Sequence, residues 1–154
     1  MSSISPFLWF DNQAEEAAEL YVSLIPNSRI TGVQRYPEGA QMPAGSALSV
    51  TFELDGVEFQ ALNAGPQFPH TEAFSIFVKA ETQERIDELW TALTADGGEE
   101  SQCGWLKDRF GLSWQIVPPR LTELLSDPVV AQPVMQAMFG MRKLVIADLE
   151  AAAH

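Results

Sequence analysis

Leu48, Val50, Phe52 and Leu54 alternate with Ser49, Thr51 and Glu53, the period of two that buries one face of a strand and wets the other. Asp55-Gly56 is a tight-turn dipeptide, and residues 57–63 return as the hairpin partner. Upstream, Pro6-Phe7-Leu8-Trp9-Phe10 is bulky and apolar. It reads as a strand with proline at its start, where a missing N–H is tolerated. Next, Ala14, Ala17, Ala18, Tyr21, Leu24 and Ile25 recur at helical spacing, with Glu15, Glu16 and Glu19 largely on the other face. Asn12 is the expected N-cap, with Glu15 completing a capping box, and Pro26-Asn27 ends the helix. Arg29 to Tyr36 reads as a strand, followed by a loop rich in Pro, Gly and Ala over residues 37–46.

The order then starts again. Phe74 to Ala80 reads as a strand and Thr82 as an N-cap, followed by a helical stripe of Ile86, Leu89, Trp90 and Leu93 that Gly97-Gly98 ends. Short strands are expected over 100–103, 105–109 and 113–117. Leu20-Tyr21 falls on Leu89-Trp90 at a displacement of 69 residues, which also lays Pro6–Phe10 on Ser75–Lys79. Phe59-Gln60-Ala61-Leu62 matches Trp114-Gln115-Ile116-Val117 at a displacement of 55, the difference falling where the first half carries its 37–46 loop. The pattern predicts an α+β fold of two tandem βαβββ modules. Pro118-Pro119 closes the second, and the tail holds short helical pieces: 121–125, a stretch opened by Asp127-Pro128 and interrupted at Pro133, and 142–152. The expected parts are residues 1–66, 67–119 and a helical tail at 120–154, together one domain.

Composition narrows the function classes. The formal net charge is −12, from 9 basic and 21 acidic side chains, and the cations form no stripe. Such a surface repels phosphate backbones and anionic lipids, so neither nucleic acid nor membrane is an expected partner. No segment approaches the roughly 18 consecutive apolar residues of a membrane span, and Met1-Ser2-Ser3-Ile4-Ser5-Pro6 carries no secretory pattern. Cys103, the single cysteine, can form neither an internal disulfide nor a cysteine-based zinc site, which fits a cytoplasmic location.

Residues 103–118, Cys-Gly-Trp-Leu-Lys-Asp-Arg-Phe-Gly-Leu-Ser-Trp-Gln-Ile-Val-Pro, resemble the signature of the PhnB-like branch of the glyoxalase/bleomycin-resistance (vicinal oxygen chelate) superfamily. Pro6–Phe10, Ala61–Pro66 and Val134–Met138 are similar to it as well, so the resemblance runs from about Pro6 to Ala152. It implies two modules whose curved sheets enclose a cleft, commonly in a homodimer. It also implies enzymes that hold a divalent metal with four side chains, from the first and last strand of each module, and use it as a Lewis acid. The corresponding positions here are Pro6, Gln60, Ser75 and Gln115. Proline offers no ligand, serine is a poor one and the glutamines are neutral, so no metal is expected at that set. A metal would need ligands from elsewhere, such as Glu58, Glu72 or His70. Members of this branch are often labelled demethylubiquinone methyltransferase-like. A nucleotide-based methyl donor is usually held by a glycine-rich strand-to-helix turn. The first helix opens with Asp11-Asn12-Gln13 and the second with Glu81-Thr82-Gln83, so methyl transfer is not expected.

The candidate ligand-binding residues are Gln60, Gln115, Ser75, Lys79, Phe10 and Trp105. Each glutamine amide offers a donor and an acceptor to a small organic ligand, or the two satisfy neighbouring groups in the interior. Lys79 lies four residues beyond Ser75 and shares its strand face; Phe10 is its counterpart in the first module. Lys79 could pair with an acidic ligand or be a solvated surface group. His70, in a loop, could act as an acid or base or do nothing, and His154 is terminal. Cys103 reads as a buried structural thiol, with no partner in the sequence to activate it. Met135, Met138, Met141 and Phe139 form a soft apolar surface for a partner or for the tail's own packing. Three functions are open: a glyoxalase-like lyase, isomerase or oxygenase; a non-catalytic sequestering protein of the bleomycin-resistance type; and a dimeric structural protein without a ligand.

Overall fold

A computed structural model of the chain describes residues 3–154; of the leader reading, Met1 and Ser2 lie outside them. Backbone contacts divide the chain into two compact units, Met1–Pro69 and His70–His154. In the first, β1 (Phe7–Phe10) leads into α1 (Ala14–Leu24), followed by β2 (Arg29–Arg35), β3 (Ala47–Leu54) and β4 (Val57–Asn63). The strands form one sheet in the order β1-β4-β3-β2, parallel between β1 and β4 and antiparallel elsewhere. Period-two burial holds from Val50 to Leu54 and breaks at Leu48, where Ala47 is the buried residue beside a register shift against β2. Val50, Phe52, Leu54, Phe59 and Ala61 turn inward beneath Ala17, Ala18 and Tyr21 of α1. Phe52 stacks on Phe59 with centroids 5.4 Å apart. Asp55 (φ 48°) and Gly56 (φ 81°) are both left-handed, the two-residue turn that matches strand twist.

The helix start differs from its sequence reading. Asn12 does not cap α1; the N-cap position is Gln13, whose side chain makes no capping bond. The orphan N–H of Ala14 instead donates to Asn63 Oδ1, 2.8 Å away at the end of β4, and Asn63 Nδ2 donates to Ala47 O at 3.0 Å. Glu15 is thereby free of the expected capping box and pairs with Arg35 at 3.0 Å.

The second unit repeats the order. β5 (Ser75–Lys79) is followed by α2 (Gln83–Thr94), β6 (Glu99–Glu100), β7 (Trp105–Lys107) and β8 (Ser113–Val117), with sheet order β5-β8-β7-β6. Here the local signal holds: Thr82 accepts from the Arg85 N–H at 3.1 Å and caps α2. Ile86, Leu89, Trp90 and Leu93 are buried, as are Leu106, Trp114 and Ile116 on the facing sheet. β6 stops at Glu100, short of the expected Cys103, because Cys103 (φ 59°) and Gly104 (φ 86°) turn the chain. Their N–H groups donate to Met141 O and Arg142 O at 2.9 and 2.8 Å, fastening the tail.

That tail comprises α3 (Pro119–Ser126), α4 (Ala131–Phe139) and α5 (Ile146–Ala152). Leu121, Leu124, Val134, Leu144 and Leu149 close over Val117 as one buried cluster. Pro133 does not interrupt α4: it is the third residue, where the N–H has no intrahelical partner in any case. The last helix begins at Ile146 rather than 142, because Gln83 of α2 holds the approach extended. Gln83 Oε1 accepts from the Ile146 N–H at 2.8 Å and its Nε2 donates to Leu144 O at 3.0 Å. Among the described residues no helix is long and apolar enough to cross a membrane.

Candidate functional site

Each sheet has one face under its helix, and the opposite face carries the candidate chemistry. In the first unit Phe7 lies beside Gln60, and alternation puts Trp9, Glu58 and Leu62 on the same side. Gln60 Nε2 donates to Ser5 Oγ at 3.0 Å. In the second unit Gln115 lies between Phe77 and Trp105, with Ser75 and Lys79 on the same face of β5. Gln115 Nε2 donates to Ser75 Oγ, again at 3.0 Å. The two modules thus repeat an amide–hydroxyl pair flanked by aromatic rings.

This geometry corrects the sequence alignment by one residue. Phe7 pairs with Gln60 and Phe77 with Gln115, so the first strands are related by 70 positions; the helices keep the 69 read from the sequence. The turn from strand to helix is one residue longer in the first module. Ser5, not Pro6, is therefore the counterpart of Ser75. Lys79 corresponds to Trp9, and Phe10 to Ala80. A slip of one residue exchanges the faces of a strand, and Phe10 accordingly is 3% exposed in the core, on the opposite face from Gln60. Of the six candidates, the structure brings Ser75, Lys79, Trp105 and Gln115 to one face, places Gln60 on the equivalent face of the other unit, and buries Phe10.

The remaining candidates separate. Glu72 forms an ion pair with Lys107, whose ammonium holds the Glu72 carboxyl below the usual carboxylate range; it is not a spare base or ligand. This pair, with Trp105 and Ser113, borders a cavity of about 220 Å³ at the sheet edge. His70 is half-buried in the loop before β5. His154 follows α5 with its Nε2 3.8 Å from Glu150. Cys103 is half-buried in the tail-fastening turn. Met138 and Met141 pack on the tail's own core, while Met135 and Phe139 stay exposed.

The sequence reading passed over Asp108. It is 2% exposed and accepts from the N–H groups of Phe110 and Leu112, at 2.8 and 3.1 Å, and from Trp114 Nε1 at 2.9 Å. Together with Gly111 (φ 86°) it shapes the β7–β8 turn. Most of the 103–118 signature therefore maintains the fold. Trp105, Lys107, Ser113 and Gln115 are the strand positions of it on the face away from α2, and of these Trp105 and Gln115 are the candidate ligand contacts. An aspartate followed two and four residues later by turn positions was the available signal.

The donor set does not fit a catalytic metal. Ser5, Gln60, Ser75 and Gln115 carry no charge, and a catalytic cation is ordinarily held with at least one carboxylate or imidazole. Among the described residues no three His, Cys, Asp or Glu side chains are grouped to hold a cation.

The sequence model of the family described as 3-demethylubiquinone-9 3-methyltransferase matches residues 2–117. The chain belongs to this family. The match stops at Val117, so the tail, over which resemblance was also read, lies outside it. A PhnB protein from Bacillus cereus, proposed to be a 3-demethylubiquinone-9 3-methyltransferase, is similar with a TM-score of 0.70 and 33% identity, over 76% of this chain and 99% of that one. A protein from Pseudomonas aeruginosa has a TM-score of 0.61 at 19% identity, covering 77% and 98%. A fosfomycin resistance protein from Listeria monocytogenes has a TM-score of 0.50 at 13% identity, covering 75% and 91%; at that identity the likeness shows the fold alone. No curated protein matches the chain. The fold of this PhnB-like chain is that of the vicinal oxygen chelate superfamily, as its sequence resemblance implied.

Proposed function

We propose that this PhnB-like chain binds a small organic molecule on its glutamine-bearing sheet faces. The observation that carries the reading is the repeated pair, Gln60–Ser5 and Gln115–Ser75, each at 3.0 Å beside exposed aromatic rings. Amide and hydroxyl together leave both a donor and an acceptor for a ligand, and the rings supply apolar contact. Lysis, isomerisation or oxidation of the ligand is the catalytic version. A sequestering role without turnover is favoured by the groups at the two pairs, since Gln, Ser, Phe and Trp offer no acid or base near neutral pH. The catalytic version would draw on Glu58 or Lys79, which share those faces. Methyl transfer, which the family description names, finds no glycine-rich cradle: Asp11-Asn12-Gln13 and Ala80-Glu81-Thr82 follow the strands, and acidic Glu15 and Glu16 occupy the first turn of α1. A homodimer and a cytoplasmic location complete the proposal.

Tryptophan fluorescence and thermal shift against a panel of aromatic carbonyl compounds and acids test it. Binding that Gln115→Ala or Gln60→Ala weakens about tenfold, the size of one well-made polar anchor, supports the reading. Recovery of the ligand unchanged selects sequestration, and turnover selects catalysis. Panel members that bind equally to both variants would refute the assignment of this face.

A further inference from the structure

Nine cationic side chains serve a chain with 21 acidic ones, and among the described residues eight of the nine stand in an ion pair. That is the expected outcome where carboxylates outnumber cations more than twofold. Lys79 is the exception: among the described residues it is the one cation without a carboxylate partner. Its position is the candidate face itself. Lys79 lies opposite Val117, two residues beyond Gln115, and it follows Ser75 and Phe77 on the same side of β5. Two residues of strand span about 7 Å, so its flexible stem brings the ammonium within reach of a molecule held at the Gln115–Ser75 pair. Phe77, 50% exposed, lies between the two.

The first module has no such cation. There the counterpart is Trp9, whose Nε1 donates to Gly65 O at 2.9 Å and whose ring meets Phe68 edge-on. Over most of its surface a chain of net charge −12 repels an anion. A lysine left free by its own carboxylates offsets that repulsion at one place.

We infer that Lys79 sets the ligand class: the Gln115 face takes an organic acid. Its carboxylate pairs with Lys79, a carbonyl or hydroxyl about 5–7 Å away along the strand meets Ser75 and Gln115, and an apolar part lies on Phe77. The inference rests on the reading that this face binds small molecules, and it adds the charge. Ser75 Oγ already accepts from Gln115, so its own proton is available to a ligand carbonyl, and Gln115 Oε1 to a ligand hydroxyl.

The test uses 4-oxo-4-phenylbutanoate and its neutral primary amide, titrated calorimetrically into the full chain, K79Q, K79R and Q115A. The acid should bind wild type about tenfold more tightly than the amide, one charge-assisted hydrogen bond. K79Q should erase that difference by weakening the acid about tenfold and the amide far less, and K79R should keep most of it. Lys79 is exposed, so an unchanged melting temperature verifies that K79Q folds. Acid and amide binding wild type equally, both weakened in Q115A, would overturn the charge inference and leave the binding face standing. Neither compound binding, or Q115A changing nothing, would overturn both.

Discussion

Asn63→Ala removes a side chain that is 4% exposed and serves two backbone groups at once. Its oxygen takes the Ala14 N–H at the start of α1, and its nitrogen serves Ala47 O at the start of β3. Ala14 is fully buried and Ala47 is 6% exposed, so water cannot easily replace either bond. An unsatisfied buried donor or acceptor costs about 1–3 kcal/mol, and loss of a helix cap about 0.5–2 kcal/mol. The variant should therefore lose about 3 kcal/mol. For a chain of this length that is a fall of roughly 6–12 °C in melting temperature. Asn63→Asp keeps the acceptor for Ala14 but sets a buried carboxylate against the Ala47 carbonyl, and should lose at least as much as Asn63→Ala near neutral pH. Asn12→Ala, at the position the local sequence marks as the cap, should stay within about 0.5 kcal/mol of wild type. Urea unfolding followed by fluorescence and circular dichroism measures all three. A loss below about 1 kcal/mol for Asn63→Ala, or an equal loss for Asn12→Ala, would refute the long-range cap.

Asp108→Ala strips three donors of their acceptor and should cost about 3–5 kcal/mol, while Gln115→Ala in the same signature leaves the melting temperature nearly unchanged; differential scanning calorimetry separates them. Gly104→Ala would bring a Cβ to 3.0 Å from Leu144 Cδ1 and 3.1 Å from Ile116 O at φ +86°. It should loosen the tail, seen as faster proteolysis after residue 118 with the sheets intact. Three carboxyls are held below their usual range: Glu72 by Lys107, Asp87 by Lys143 and Gln83, and Glu150 by Arg120. A depressed carboxyl stabilises the fold above its unfolded pKa and loses that contribution as pH falls through its folded one. The urea midpoint should hold near neutrality and drop below the ordinary carboxylate range, and Glu150→Gln should drop less. Elemental analysis after supply of iron, zinc, nickel or manganese should find no stoichiometric metal; one metal per chain, lost in Gln60→Ala or Gln115→Ala, would contradict the donor-set argument.

The elements were legible in the sequence because each is a local matter. Burial period in residues 50–54, the Asp55-Gly56 turn and the Thr82 cap all lie within windows of a few residues, where backbone sterics and side-chain alternation act directly, and the repeat of Gln60 at Gln115 shows in two four-residue matches. The chain's membership of its family was legible too, although most of the signature that marks it proves to hold a turn and a tryptophan rather than a ligand. Tertiary structure decided what depends on distant partners. The cap of α1 comes from Asn63, 49 positions away, and no local rule can prefer it to Asn12. Gln83 decides where α5 starts, and the docking of the Cys103-Gly104 turn on the tail decides where β6 stops. Above all, strand register chose the faces: the helices align at 69 residues and the first strands of the two modules at 70. That single position moved Phe10 into the core, exchanged Pro6 for Ser5, and gave Lys79, whose own face the strand period had already marked, Trp9 as its counterpart. Side chains alternate with a period of two, so register, which only pairing between strands can fix, determines which residues a ligand can meet.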